Sequence, residues 1–269
     1  MSDTLNTVYL GIIEGITEFL PISSTGHLLI AEHWLGERSE LFNVAIQAGA
    51  ILAIVLIYWR RLLELLTRFN QPDNRDYLIK FCASVLITMV LAFAATRMGA
   101  KLPEKVLPIA IAMFAGGLLI LIVERLVAKR PLATSLTWSV VVSVGLAQVV
   151  AGVFPGTSRS AAAIFAAMLA GMTSRPAATE FAFLVGIPIM FVATAYEYIK
   201  QRHGGEGGAG IAENWNALAI GFVVSGVVAF IAVKWLLRYV QSHRFTLFAW
   251  YRIVLGALLL GLVANGTLA

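Results

Sequence analysis

The chain reads as an all-α polytopic membrane protein, with six transmembrane spans and two re-entrant helix-loop-helix hairpins arranged as an inverted-topology internal repeat. Three observations predict this. Hydrophobic residues make up 59% of the chain and charged residues only 13%, and the mean hydropathy is +0.83, far above that of an average soluble domain. Several apolar runs approach the about twenty residues that cross roughly 30 Å of hydrocarbon. Two further runs are each interrupted near the middle by proline, glycine, serine and charge.

In chain order, the first element is the interrupted stretch 5–34, broken at "FLPISSTGH". Uninterrupted spans are expected at 42–59, 78–96 and 107–124. A second interrupted stretch, 136–172, breaks at "FPGTSRSA" and is followed by spans at 180–199, 215–237 and 246–264. A helix broken at membrane depth is tolerated only where protein or a water-filled cavity shields its freed backbone groups, so both interrupted stretches read as hairpins. The start "MSDTLNT" lacks a basic region, and Glu14 and Glu18 interrupt the apolar run behind it. A cleaved signal peptide is therefore not expected. The single cysteine, Cys82, excludes a disulfide framework or a cysteine-based metal site within one chain. The loop "RHGGEGGAGIAE" reads as a flexible connector, not a phosphate loop, because no strand precedes it and no lysine follows.

The chain is expected to form one membrane domain, 1–269, built from repeat halves at approximately 1–134 and 135–269. A shift of about 134 residues lays "GIIEGITEFLPISSTG" on "GLAQVVAGVFPGTSRS", matching Gly11 with Gly145, Pro21 with Pro155 and Ser24 with Ser158. With slight drift, "QAGAILAIV" falls on "LVGIPIMFV" and "GGLLIL" on "GALLLG". Recurrence in order and at nearly constant offset argues for duplication. Each half then holds one hairpin and three spans, and an odd number of crossings inverts the second half. The hairpins enter from opposite faces and their tips meet near the midplane. Lysine and arginine gather on one face, from Arg60, Arg61, Arg68 and Arg75 through Arg125, Lys129 and Arg130 to Arg238 and Arg244, and are sparser on the other, at Arg38, Arg97, Lys101 and Lys105. The richer face is expected to be cytoplasmic, so the first hairpin opens outward. The net charge of +5 reflects this asymmetry and not nucleic-acid binding.

Chemistry concentrates at the two tips. Glu14 and Glu18 stand four residues apart, so on a helix their carboxylates share a face and can converge on one cation or proton. An ionised side chain at the centre of a bilayer costs at least ~2.5–3.5 kcal/mol, so the pair calls for a cation, a proton or an arginine. Ser23, Ser24, Thr25, Gly26 and His27 follow Pro21 directly. Small hydroxyl residues at the start of a helix suit both an N-cap and an anion site. His27 titrates near neutrality and is a candidate nucleophile, base or acid. The opposite tip carries Arg159 between Ser158 and Ser160, and its planar guanidinium matches a phosphate bidentately. Gln148 and Gly152 stand where the repeat places Glu14 and Glu18, so the acidic pair is not duplicated. Glu180 is a further candidate to line the cavity.

At these tips the sequence resembles the undecaprenyl pyrophosphate phosphatase family of bacterial inner-membrane enzymes. The likeness covers nearly the whole chain and is most specific at "EGITEFLPISSTGH" and "PGTSRS". It implies hydrolysis of the terminal phosphate of a C55 isoprenyl pyrophosphate, giving the monophosphate carrier lipid of cell-wall synthesis, with a divalent cation, Mg²⁺ or Ca²⁺, assisting. It also implies a multi-pass protein of the inner membrane whose abundance raises resistance to bacitracin, which sequesters the pyrophosphate lipid. The sequence departs from the family pattern at Ala163, after "SRSAA", and at Ala182, after the "EF" that opens the span 180–199, where hydroxyl residues are common.

The two readings converge. Glu14 and Glu18 hold the cation; Ser23, Thr25, Gly26, Ser158 and Ser160 cradle phosphate; Arg159 neutralises the transferring group. The attacking group is Ser24 activated by Glu18 or His27, or His27 itself, or water, with Ser24 favoured slightly. The expected partners are the isoprenyl pyrophosphate lipid and the bilayer, with no nucleic acid and with a homodimer left open. The principal alternative is a flippase or transporter of a phosphorylated lipid or small anion, since inverted repeats with broken helices also build transporters.

Overall fold

The structure is a computed structural model that describes residues 3–100, 105–202 and 214–267. Among these it forms ten α-helices and no strand: α1 (Asp3–Thr17), α2 (Ser24–Leu35), α3 (Glu40–Thr67), α4 (Pro72–Arg97), α5 (Val106–Val127), α6 (Trp138–Val153), α7 (Arg159–Leu169), α8 (Arg175–Arg202), α9 (Trp215–Ser242) and α10 (Thr246–Ala264). Six are long and apolar enough to cross a membrane: Glu40–Thr67, Pro72–Arg97, Val106–Val127, Arg175–Tyr196, Trp215–Ser242 and Thr246–Ala264. These are the six spans the sequence predicts. Most run beyond the predicted bounds, because an apolar run marks only the part inside hydrocarbon. The 28 residues of α3 reach about 42 Å at 1.5 Å per residue. The connector "RHGGEGGAGIAE" lies outside the described residues, apart from the backbone of Arg202.

Local signals set the helix ends. Ser39 caps α3 by accepting from the Phe42 amide at 3.1 Å, and Thr137 caps α6 through the Val140 amide. Pro72 opens α4 at a first-turn position, where its missing N–H costs nothing.

Side-chain size sorts the faces of the long helices. On α9, Val223, Val227 and Ile231 are exposed, while Gly221, Ser225 and Ala229 one step round the helix are buried. Bulk faces lipid and small residues face protein, the pattern by which membrane helices pack without a hydrophobic driving force between them. At the α3–α9 contact, a Cβ on Gly49 would lie 2.2 Å from the Phe222 carbonyl oxygen, and Ser225 Oγ donates to the Ile46 carbonyl at 2.6 Å. On α4, Ser84 and Thr88 donate to the Val141 and Gly145 carbonyls of α6.

Packing follows the order of the halves. Helix α1 packs on α9 as α6 packs on α4, while α3 pairs with α8 and α5 with α10. Exchanging α1–α5 for α6–α10 maps these pairs onto each other, which is compatible with an inverted repeat. One end of the molecule gathers Asp3, Asn6, Leu35 and Arg38. The other gathers Glu124, Arg130, Ala133, Leu169, Ser174, Arg175 and Phe245. The pair α1/α2 therefore opens at one end and α6/α7 at the other, an arrangement compatible with hairpins entering from opposite faces.

The breaks between α1 and α2 and between α6 and α7 are built alike. Ser23 (φ 75°) and Ser158 (φ 69°) are the only non-glycine residues with positive φ among those described. Each caps the following helix, Ser23 through the Gly26 amide at 3.4 Å and Ser158 through the Ala161 amide at 3.3 Å. This corrects the register read from the sequence. Pro21 still matches Pro155, but the second tip holds one extra residue, so the structural counterpart of Ser158 is Ser23 and that of Ser24 is Arg159. A constant offset cannot register a single insertion in a loop. The side chains lost no packing periodicity there to reveal it.

Candidate active site

The helical turn of α1 continues past its end to Glu18, whose amide donates to the Glu14 carbonyl at 3.0 Å. Glu14 and Glu18 therefore share a face, as their spacing predicts, and both are buried, at 2% and 7% exposure. Pro21 cannot continue the helix, and the chain turns through the strained Ser23 into α2. Strain of ~1–3 kcal/mol in such a conformation persists only where surroundings over-determine it, and it clusters at functional sites.

That turn delivers Ser24 to Glu18. The Ser24 hydroxyl donates to Glu18 Oε2 in a very short hydrogen bond. His27, one turn on, is engaged elsewhere: Nδ1 meets the Ser23 carbonyl and Nε2 the Tyr251 hydroxyl, each at 2.6 Å. A carbonyl can only accept, so Nδ1 carries the proton and Nε2 accepts from Tyr251. Of the two partners proposed for Ser24, the structure brings Glu18 to it and not His27. Gly26 packs tightly, since a Cβ there would lie 2.9 Å from Met113 Sδ on α5. Thr25 is partly exposed at the first turn of α2.

The second tip meets the first. Ser160 Oγ donates to the Leu20 carbonyl at 3.1 Å and lies 3.0 Å from Ser158 Oγ. Ser158 and Ser160 are thus committed to capping and to joining the tips. Arg159, the first residue of α7, is partly exposed and lies within electrostatic reach of Glu14. The two tips together place a buried acidic pair, a hydroxyl hydrogen-bonded to one of the carboxylates, and a guanidinium within electrostatic reach of the other.

Glu14 Oε2 is buried without a hydrogen-bond partner. An orphaned carboxylate oxygen in the interior is costly unless something else binds it. Among the described residues no group of three or more histidine, cysteine, aspartate or glutamate side chains could hold a metal ion, so a full protein cage is absent there. Two carboxylates with a free oxygen fit instead a hard cation that keeps its remaining ligands as water and substrate oxygens.

Two features, Arg252 and Tyr251, escaped the sequence reading. Arg252, on α10, is fully buried and contacts the backbone of both tips. Its signal was a lone arginine about a third of the way along "TLFAWYRIVLGALLLGLVA", an ionised group inside an apolar span. Tyr251 beside it reaches His27. Gln148, in the repeat position of Glu14, is 5% exposed with an unpartnered Oε1. In contrast, Glu180 lies 3.8 Å from Arg61, whose guanidinium covers Tyr77 near the α3–α4 turn, so its surroundings are an ion pair and not the tips. Ala163 and Ala182 are both buried in the main core, so the missing hydroxyls fall among packed side chains.

The chain is also similar to known proteins. A family model described as bacitracin resistance protein BacA matches residues 7–258. A protein of Rhizobium etli named undecaprenyl-diphosphatase is 59% identical over 267 residues, covering 99% of this chain and 100% of the relative. One of Xanthomonas oryzae pv. oryzae with the same name is 53% identical over 260 residues, 97% of each chain.

Proposed function

The chain belongs to the bacitracin resistance protein BacA family, and from that premise we propose how its tips work as an undecaprenyl-diphosphatase. It is a multi-pass membrane enzyme that hydrolyses undecaprenyl pyrophosphate to undecaprenyl phosphate and inorganic phosphate, returning the carrier lipid to cell-wall synthesis. The comparisons offer nothing for the transport reading.

The observation that carries the mechanism is the hydrogen bond from Ser24 to Glu18. Glu18 accepts the proton as Ser24 Oγ bonds to the terminal phosphorus, the bond from that phosphorus to the bridging oxygen breaks, and undecaprenyl phosphate departs. Glu18 hands that proton to the departing undecaprenyl phosphate, then takes a proton from water attacking the phosphoserine and returns it to Ser24 Oγ as the bond from that oxygen to phosphorus breaks and inorganic phosphate leaves. Arg159 and the first-turn amides of α2 offset charge on the phosphoryl oxygens. Ser23 and Ser158 set the cap geometry of both tips, Ser160 joins them, and Thr25 and Gly26 line the first turn of α2. His27, held by Ser23 and Tyr251, fixes that turn. Glu14 and Glu18 would hold Mg²⁺ or Ca²⁺, which polarises phosphate oxygens when bound. Two carboxylates suit Mg²⁺ best, since it commonly binds through one or two carboxylates and substrate phosphates.

The halves 1–134 and 135–269 are read as a duplicated unit, supported by the paired strained caps and the exchange of helix contacts. The site is assigned to the periplasmic side of the inner membrane, supported by the basic loops at the opposite end. The test is phosphate release from C55 isoprenyl pyrophosphate by purified protein in detergent, with and without EDTA, comparing wild type with Ser24→Ala and Arg159→Ala. Brisk, cation-dependent release lost in both variants is the expected result. A folded wild type that releases nothing with added Mg²⁺ or Ca²⁺ overturns the assignment.

A further inference from the structure

Arg252 is an isolated cation in the protein interior, fully buried and with no carboxylate among its described hydrogen-bond or ion-pair partners. A buried unpaired charge is expensive, yet a guanidinium has five N–H donors and each finds a carbonyl. Nε donates to Met113 at 3.3 Å; one terminal nitrogen donates to Pro21 at 3.4 Å and Thr157 at 3.0 Å; the other donates to Ala112 and Gly156, each at 3.0 Å. These carbonyls come from three segments, α5 and the two tips.

The surroundings are shaped for this group. A Cβ on Gly116 would sit 2.2 Å from Arg252 Nη2, so only glycine lets the guanidinium through. Gly156 adopts φ +88° and lies against the Ile109 backbone, and Gly26 packs on Ile109 and Met113. Both tips thus rest on the same stretch of α5 and are tied there by one side chain from α10. The tip carbonyls it takes are those of Pro21, Gly156 and Thr157, one or two residues before the strained caps Ser23 and Ser158.

We propose that Arg252 is a positioning residue for the hydrolysis. By binding the backbone of both tips it sets the spacing between Ser24 with Glu18 on one side and Arg159 on the other, without touching the substrate. A lysine carries the same charge, but its three donors radiate from one point and cannot reach carbonyls spread over three segments. Displacing a catalytic group by about 1 Å costs roughly 100-fold in rate.

The inference rests on the phosphatase reading, and the experiment separates the two. Arg252→Lys is compared with wild type in steady-state kinetics on C55 isoprenyl pyrophosphate, per folded molecule, with thermal melting in detergent as the control. The expected result is kcat lower by ~100-fold with KM within about threefold, because the lipid-binding surface is intact while the reacting groups are misplaced. If Arg252→Lys does not fold, Gly116→Ala serves instead: it keeps the arginine but intrudes on the guanidinium, and the same loss in kcat is expected. Full kcat per folded molecule in whichever variant folds overturns the proposal, as does a raised KM with kcat unchanged, which would make Arg252 a binding charge. An inactive wild type defeats the phosphatase reading itself.

Discussion

Glu18→Gln tests the proton transfer on which the mechanism depends, with Mg²⁺ held saturating because Glu18 would also help hold the cation. Glutamine has the same length and shape as glutamate, and its carbonyl oxygen can still accept the hydrogen bond that Ser24 donates to Glu18 Oε2. Burial at 7% exposure leaves the side chain little room to move, and the hydrogen bond from its backbone amide to the Glu14 carbonyl holds the backbone in place. The variant therefore retains the position of Ser24 but cannot take its proton. Losing a general base costs ~10²–10⁴-fold in rate, which corresponds to about 2.7–5.4 kcal/mol at 1.36 kcal/mol per decade. Colorimetric phosphate release in detergent micelles, at saturating C55 isoprenyl pyrophosphate and Mg²⁺, reads kcat directly. A melting curve shows that the variant is folded. Glu18→Asp withdraws the carboxylate by one methylene and is expected to fall between the two. If Glu18→Gln keeps kcat within threefold of wild type, the Ser24–Glu18 hydrogen bond is not a catalytic contact and the reasoning fails.

Three other perturbations address the cation and the scaffold. Glu14→Gln removes the orphaned carboxylate oxygen, so activity after EDTA treatment should return only at a higher Mg²⁺ concentration than wild type needs; an unchanged titration curve removes Glu14 from the metal site. Glu124 is buried, binding Arg175 and accepting from the Phe245 amide at the start of α10, so Glu124→Ala should destabilise by ~3–5 kcal/mol, read as a large drop in melting temperature. Gly49→Ala places a Cβ 2.2 Å from the Phe222 carbonyl oxygen, a backbone atom that cannot swing aside, and forcing α3 from α9 should cost ~1–3 kcal/mol in a denaturation measured in mixed micelles.

The tips were legible in the sequence because polar groups at membrane depth are expensive and therefore conspicuous. Glu14, Glu18 and Arg159 stand out against apolar neighbours, and Pro21 and Pro155 mark where helices must stop. Arg252 is just as conspicuous by that rule. Its partners, however, are carbonyl oxygens, which every residue possesses, so no residue type announced that it binds the two tips. The choice between Glu18 and His27 as the partner of Ser24 was equally hidden, since it turns on the positive φ of Ser23 and on a hydroxyl from Tyr251, 224 residues away.

The amino-acid sequence by itself determined that this chain enters a bilayer, where it crosses and which two segments break, because hydropathy and run length are properties of consecutive residues. Which helix lies against which was decided only by tertiary packing. All faces of such helices are apolar, so association depends on close fit at Gly49, Gly221 and Ser225 and on a few interhelical hydrogen bonds, such as those of Ser84 and Thr88. Tertiary structure alone likewise joined Ser24 to Glu18 and drew both tips onto one guanidinium. The first contact depends on the strained turn at Ser23, and the second links residues far apart in the chain.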